Sequence, residues 1–153
     1  MKQVEIKLNI DAVAPLLDVI KLAADDLRST LAIRATFPED EDAEFNETWT
    51  QDLMAGQNSD VRELLGLFDS DFFSDGAIAI DSNNCDSLLR GCSALRIRIL
   101  MRWLQKVPAD VIEDEDAPIS AIPLEIRLPF AAYTFLDQIQ KIILEHLSPA
   151  GTE

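Results

Sequence analysis

The chain has 153 residues, which is enough for one domain with a sizeable hydrophobic core. Its 28 acidic and 13 basic residues give a net charge of −15, and such a surface repels nucleic-acid phosphates. No apolar run approaches the length of a membrane span, and the N-terminus has no secretory signal pattern. We therefore expect a cytoplasmic protein that binds neither nucleic acid nor membranes. We interpret residues 1–153 as a single domain, with an acidic arm at 36–76 and a frayed tail at 148–153.

The first elements are predicted to be a strand and an amphipathic helix. Apolar and polar residues alternate without a break over Val4–Ile10, which predicts a strand with one buried face. Asp11 is a suitable N-cap for a helix that continues to about Arg34. Pro15 lies near the first turn of that helix, where proline is best tolerated.

The acidic arm has twelve acidic residues and only one base, Arg62. The stretch Glu44–Ala55 predicts one short helix, which the polar Gly56-Gln57-Asn58 sequence should end. Asp60 and the glutamate three residues later resemble the start of a second short helix. Residues 69–76 fit a calcium loop poorly, because Ser82 would stand where a bidentate glutamate is needed. A polar turn before a strand is the preferred interpretation.

The aromatic side chains of the arm exceed what such short helices can bury between themselves. We expect some of them to rest on a central helix, and the remainder to form an aromatic patch rimmed by carboxylates. Such a patch would suit a basic, partly apolar partner protein or a second copy of the chain, as in a homodimer. Alternatively, the central helix buries all of them and the arm is only a lid. The candidate interface residues are Phe45, Trp49, Phe68, Phe72 and Phe73.

The stretch Asp81–Val107 is predicted to form one long helix against which the other elements pack. Asp81 is a good N-cap, and Pro108 should stop the helix. The short strand Gly76–Ile80 leads into this helix and should pair with the first strand, because a lone strand leaves its backbone groups unpaired. Residues at spacings of three and four form its apolar stripe: Cys85, Leu88, Leu89, Cys92, Leu95, Ile99 and Trp103.

Arg96 projects inside the apolar arc of this helix, whereas Arg98 and Arg102 fall outside it and should face water. A guanidinium cannot be deprotonated there, so it needs carboxylate or carbonyl partners if it is buried. Three interpretations stay open. The stem of Arg96 could be buried with its head in water, the side chain could form a structural ion pair, or it could belong to a ligand or anion site.

Beyond the central helix, apolar and charged residues alternate over Leu124–Leu128, which lies between two prolines. This stretch is predicted to be a third strand. The last helix should run over about Phe130–Leu147. The predicted fold class is mainly α (α+β): a helical bundle around one long central helix, with a small two- or three-stranded sheet.

The residues that usually carry chemistry are sparse. Cys85 and Cys92 lie about two helical turns apart, too far for a disulfide, and are expected to be small core residues. His146 is the only histidine, so a zinc site is not expected, and it is interpreted as a partly buried structural residue. The sequence has no glycine-rich phosphate loop and no nucleophile elbow. We therefore expect no metal, no cofactor and no enzymatic activity.

Several motifs resemble those of the bacterial domain-of-unknown-function family twenty-seventeen. Ile80-Asp81 at the end of a strand and Leu95-Arg96-Ile97 in the central helix are similar to that family's Leu-Asp and Leu-Arg-Leu motifs. Tyr133, Leu136 and Gln140 are similar to its closing Tyr-x-x-Leu-x-x-x-Gln. Membership implies a small, mostly helical cytosolic protein without established activity. Genes of that family often neighbour the gene of the Clp protease adaptor, which suggests a role in proteostasis or regulation.

Two functions from different classes are compatible with this sequence. The leading hypothesis is a non-enzymatic regulatory or adaptor protein that binds another protein. The second is a sensor of a small ligand or anion that uses a pocket at Arg96. A deep polar pocket at that residue would favour the sensor, and a flat apolar patch would favour the adaptor.

Overall fold

The two predicted strands form one antiparallel pair. In the computed structural model, which describes residues 3–32, 43–114 and 119–147, β1 (Gln3–Lys7) lies beside β2 (Ala77–Asp81). Ile80 pairs with Val4 in this register, and the side chain of Ile80 is fully buried. The isoleucines of β2 and the apolar residues of β1 lie on one face of the pair, which packs on the core. The frayed tail and the first residues of the acidic arm lie outside the described residues.

The prediction of a third strand is wrong. Leu124–Ile126 is a 3-10 helix that leads directly into α6 (Arg127–His146). The Arg127 Nε–H donates to the backbone oxygen of Ile122 at 2.8 Å, which fixes the chain in this turn. Pro129 occupies the first turn of α6, where the backbone N–H has no helical acceptor and proline costs little.

The first helix is shorter than its pattern predicts, and a glutamine of the next helix binds the backbone where it ends. α1 (Ile10–Leu27) is capped by Asn9, not by Asp11, and ends seven residues before Arg34. The Gln57 side chain on the next helix donates to the backbone oxygens of Leu27 and Thr30, both at 2.9 Å. Its Oε1 also accepts the backbone N–H of Ala32 at 2.9 Å. This clamp holds the chain in a turn after Leu27.

The described part of the acidic arm consists of one long helix and one short helix. α2 (Ala43–Leu65) continues through Gly56, so the predicted break at that glycine is wrong. α3 (Ser70–Asp75) replaces the expected polar turn. Asp69 caps its N-terminus by accepting the Phe72 N–H at 3.2 Å, and Gly76 closes its C-terminus with a φ of 71°.

The central helix is confirmed, but within narrower limits than predicted. α4 (Cys85–Trp103) begins after Asp81, whose Oδ1 accepts the backbone N–H groups of Asn83 (2.8 Å) and Asn84 (3.2 Å) and so fixes the preceding turn. The helix ends before Pro108, and α5 (Ala109–Glu113) follows. The buried side of α4 carries most of the predicted stripe: Cys85, Leu88, Cys92, Leu95 and Ile99.

α4 packs against α1, α2 and α6, and its contact with α2 includes a close backbone crossing. A Cβ atom at Gly91 would lie 2.7 Å from the backbone oxygen of Asp60, so only glycine permits this crossing. Leu64 follows one turn later on α2 and is fully buried. The crossing therefore anchors the C-terminal half of α2 on the core.

The expectation that Arg98 and Arg102 face water is confirmed for Arg102, which is exposed, whereas Arg98 is half-buried; both also bind α1. Arg98 Nε and Arg102 Nη1 donate to the same oxygen of Asp26, at 2.9 and 3.0 Å. Burial acts to raise the pKa of Asp26, but the hydrogen bonds and charges of the two arginines outweigh it and lower that pKa below its ordinary value of 3.8. The Asp26 carboxylate therefore joins α1 to α4 through two ion pairs.

The two helical glycines offer a matched pair of stability tests. Gly91→Ala should lower the free energy of unfolding by about 1–3 kcal/mol, because the added methyl group overlaps the Asp60 carbonyl. Gly56→Ala should raise it by about 0.5–1 kcal/mol, because nothing lies within 4 Å of the added atom and alanine is the better helix former. Urea unfolding followed by circular dichroism measures both. Equal effects of the two substitutions would contradict the close crossing.

The Asp26 cluster predicts a pH-dependent contribution to stability. A carboxyl group whose pKa is lower in the folded state stabilises the fold above its unfolded pKa, and this contribution is lost as the pH falls through the folded value. Asp26→Asn should therefore cost about 1 kcal/mol at neutral pH, as for a partly exposed ion pair. The difference from wild type should shrink below the ordinary pKa of 3.8. Unfolding curves at neutral pH and at about pH 3 test this, and a difference that grows in acid would refute it.

Candidate functional site

Arg96 lies in a polar network between α4 and α6. Its Nη1 donates to Gln140 Oε1 at 2.6 Å, and its Nη2 donates to the Tyr133 hydroxyl at 3.0 Å. The guanidinium also stacks over the Tyr133 ring, 4.6 Å from the centroid, and lies 3.4 Å from an oxygen of Asp137. With 26% of its side chain exposed, Arg96 is engaged with protein groups and not simply extended into water.

Gln140 is the buried centre of this network. Its side-chain nitrogen donates to the backbone oxygen of Leu89 at 3.0 Å and to Ser93 Oγ at 2.7 Å, while its oxygen accepts from Arg96. A buried amide must satisfy both its oxygen and its nitrogen, and here each has a partner. The orientation of Gln140 is therefore fixed, and it fixes the position of the Arg96 guanidinium in turn.

The pocket beside Arg96 is small and mixed in charge. It has a volume of about 290 Å³ and is lined by the carboxylates of Glu113, Asp114 and Asp137, together with Lys141. Three carboxylates thus face two cations, and Lys141 lies 3.2 Å from Asp137. An incoming anion would meet more negative than positive charge, so the lining gives the anion hypothesis no electrostatic support.

The five aromatic residues predicted to form an interface do not lie on one surface. Phe68 and Phe72 are buried and pack edge to face with their ring centroids 5.2 Å apart. Phe73 is exposed but lines a different cleft, beside the first turns of α1. The prediction is therefore wrong for the buried pair, since the core takes up their side chains. Phe45 and Trp49 are exposed together on α2.

An apolar stripe runs along the N-terminal half of α2. The side chains of Phe45, Trp49 and Leu53 recur every four residues and are 48%, 49% and 41% exposed. The rings of Phe45 and Trp49 are in contact, with centroids 5.8 Å apart. No residue from Ala43 to Asp60 is buried. This half of the helix therefore presents its apolar side to solvent, where a packed helix would cover it.

The stripe borders an open groove of about 670 Å³. One wall is α2, the opposite wall is α4, and the chain segment after α1 adds two residues. Most of the lining is apolar or small, and Leu53 belongs to both the stripe and the groove. The lining residues are Leu31, Ala32, Asp52, Leu53, Gly56, Gln57, Asp60, Leu89, Arg90, Ser93, Ala94 and Ile97. We call this combined surface, the stripe together with the groove, the α2 surface.

Three contacts join the walls of the groove and fix their positions. Asp60 and Arg90 form a two-bonded ion pair between α2 and α4, at 2.9 and 3.2 Å. The glycine crossing at Gly91 brings the same helices together at this end. The Gln57 clamp fastens the segment after α1 to α2. Farther along α2 the space on this side of the helix is open, since nothing lies within 4 Å of a Cβ atom placed at Gly56.

Sequence reasoning missed the groove because it interpreted Gly56 as a helix end. That glycine instead lies within α2, on the wall of the groove. The period-four spacing of Phe45, Trp49 and Leu53 was a visible signal for the stripe. No sequence signal placed Leu89, Ala94 and Ile97 opposite it, since that pairing depends on how α2 crosses α4.

Both cysteine thiols lie in the core. Burial raises the pKa of the Cys92 thiol to about 12, against a smaller opposing effect of the Arg96 charge, and burial also raises that of Cys85. Both thiols are therefore protonated at neutral pH. His146 is exposed, so its interpretation as a partly buried residue is wrong. Over residues 3–32, 43–114 and 119–147, no cluster of three or more potential metal ligands occurs.

None of the helices in the described ranges is both long enough and apolar enough to cross a membrane. Comparisons with protein-family models, with curated proteins and with solved structures find no match to this chain. The resemblance to family twenty-seventeen therefore stays a prediction that rests on its motifs. The site has to be interpreted from its own geometry.

The Arg96 network should contribute measurably to stability. Arg96→Ala leaves the buried oxygen of Gln140 without its donor, which should lower the free energy of unfolding by about 1–3 kcal/mol. The matched control is Arg28→Ala, because Arg28 is 80% exposed and its ion pair in the described part of the chain is with Asp25, three residues earlier, so its effect should stay within about 0.5 kcal/mol. Urea unfolding measures both variants. An equally small effect of Arg96→Ala would mean that water replaces its contacts.

Proposed function

We propose that this protein is a non-enzymatic regulatory or adaptor protein that binds another protein through the α2 surface. The observation that carries the proposal is the exposed stripe of Phe45, Trp49 and Leu53 beside the groove. An isolated exposed leucine is ordinary, but contiguous aromatic and aliphatic side chains next to an apolar groove are typical of interaction sites. The cytoplasm is the proposed compartment, where both thiols would remain reduced.

The shape of the α2 surface supports protein binding over binding of a metabolite. Small-molecule sites usually enclose most of their ligand, whereas this groove is open along one side and continues into the stripe. Aromatic residues beside a groove supply the buried anchors on which protein interfaces depend. Trp49 and Phe45 are placed to act as such anchors, because their rings already contact each other and lie about half exposed.

A second copy of the chain is a less favourable occupant than a different protein. Each copy carries a net charge of −15, and two α2 surfaces would bring the Asp52 carboxylates of both copies together. Like charges brought together at an interface without partners oppose association. The sensor hypothesis at Arg96 is also less well supported, because its guanidinium is occupied by Gln140, Tyr133 and Asp137.

The proposal predicts that charging the stripe removes partners without unfolding the protein. Trp49→Glu combined with Leu53→Glu should abolish co-purification of the proteins that the wild-type chain retains, because a carboxylate cannot enter an apolar contact without a large desolvation cost. Leu124→Glu is the matched control, since Leu124 is 73% exposed and lies outside the α2 surface. Quantitative mass spectrometry of the co-purified proteins provides the measurement.

Two results would count against the proposal. One is the same set of retained proteins for the wild type, the double variant and the control. The other is a wild-type dimer that the double variant breaks, since the occupant would then be a second copy. Light scattering after gel filtration distinguishes these cases, and circular dichroism verifies that each variant is folded.

A further inference from the structure

We infer that the occupant of the α2 surface is an amphipathic helix of a partner protein, with an apolar face and a basic polar face. This inference rests on the proposed function and specifies the partner. Three observations carry it. The walls of the groove are helices, α2 carries only negative charges over most of its length, and the space beside Gly56 is open.

The architecture of the groove favours a helix over an extended peptide. Its lining residues come from α2, α4 and the segment after α1, and none of them belongs to β1 or β2. An extended peptide in this groove would therefore have no strand edge on which to pair its backbone groups. A helix satisfies its own backbone and can lay an apolar face between two other helices. The groove thus suits a third helix across the opening between α2 and α4.

The charge of α2 favours a basic polar face on that helix. From Ala43 to Val61 the helix carries the carboxylates of Glu44, Glu47, Asp52 and Asp60 and no basic residue. Arg90 is the only cation that lines the groove, and its charge is already matched by Asp60. Asp52 lies on the rim, and no ion pair joins it to any residue in the described ranges. Lysine or arginine side chains on the partner would complete this rim.

The open space beside Gly56 provides the position for an apolar anchor. Nothing lies within 4 Å of a Cβ atom at Gly56, and the same groove is also lined by Leu53, Ala94 and Ile97. A leucine or similar side chain of the partner could fill this space and remove apolar surface from water. A larger side chain at position 56 should therefore occupy this space and block the partner, while α2 stays helical.

The test uses three fluorescein-labelled synthetic peptides and the full-length protein. The first peptide is an amphipathic helix of Leu, Ala and Lys. The second carries Glu in place of every Lys, and the third has the composition of the first in a scrambled order without an apolar face. Fluorescence anisotropy should show binding of the first peptide at least about tenfold tighter than that of either other peptide. Because the scrambled peptide has the same charge, it separates groove binding from general attraction to an acidic protein.

Two variants place the binding on the α2 surface. Gly56→Leu should weaken binding of the Lys peptide at least about tenfold. The melting temperature of the protein should stay level or rise, because leucine is a better helix former than glycine. Asp52→Asn should weaken it by about two- to fivefold, whereas Asp110→Asn, an equal charge change at an exposed position on α5, should have no effect at the same salt concentration.

The inference is overturned if the Glu or scrambled peptide binds as tightly as the Lys peptide, if no peptide binds, or if Gly56→Leu leaves the affinity within about twofold. These outcomes are distinct from failure of the proposed function. If Trp49→Glu with Leu53→Glu removes the cellular partners but no peptide binds, the α2 surface is a protein interface with a different occupant. If that variant keeps its partners, the proposed function itself fails.

Discussion

The contact between α2 and α4 at Gly91 is the constraint on which the rest of the structure depends. The Asp60 backbone oxygen on α2 lies where a side chain at Gly91 would start, so the two helices touch at this point, and an open groove lies between them beyond it. Close to this contact, Leu64 and Val61 of α2 are buried in the core. Farther toward its N-terminus, α2 lines the groove and carries the exposed aromatic stripe. One crossing therefore both anchors the acidic arm and creates the surface that a partner can use.

The polar contacts between helices determine where elements end and how they are oriented. Gln57 ends α1, Asp26 joins α1 to α4, and Gln140 joins α4 to α6. Each joins residues far apart in sequence, so neither periodicity nor capping patterns identify the partner. Burying such groups is favourable only when their hydrogen bonds are completed, which makes these contacts selective for one arrangement of the helices.

The sequence predicts the parts of this fold that depend on local pattern. The strand pair, the central helix with its buried stripe and the last helix all follow from periodicity. It fails where a residue has two local meanings. Gly56 is typical of a helix end but lies within α2. The alternation around Leu124 is typical of a strand, but Leu124–Ile126 is a 3-10 helix, and no strand in the described ranges pairs with it. The burial of Phe68 and Phe72 depends on how α2 and α3 pack on the core, so the local sequence pattern could not predict which aromatic residues stay exposed.

The N-terminal half of α2 has a helical structure that its burial alone does not explain. No side chain from Ala43 to Asp60 is buried, and short helices gain little stability from propensity in water. This half is continuous with an anchored turn at Val61 and Leu64, so it avoids the cost of nucleating a new helix. Its local stability should nevertheless be among the lowest in the chain, since few buried contacts oppose its opening. A partner helix in the groove would supply the missing apolar contacts, and its binding energy would then also stabilise α2. The features that make this half of α2 weak in isolation are thus the same features that make it suited to binding.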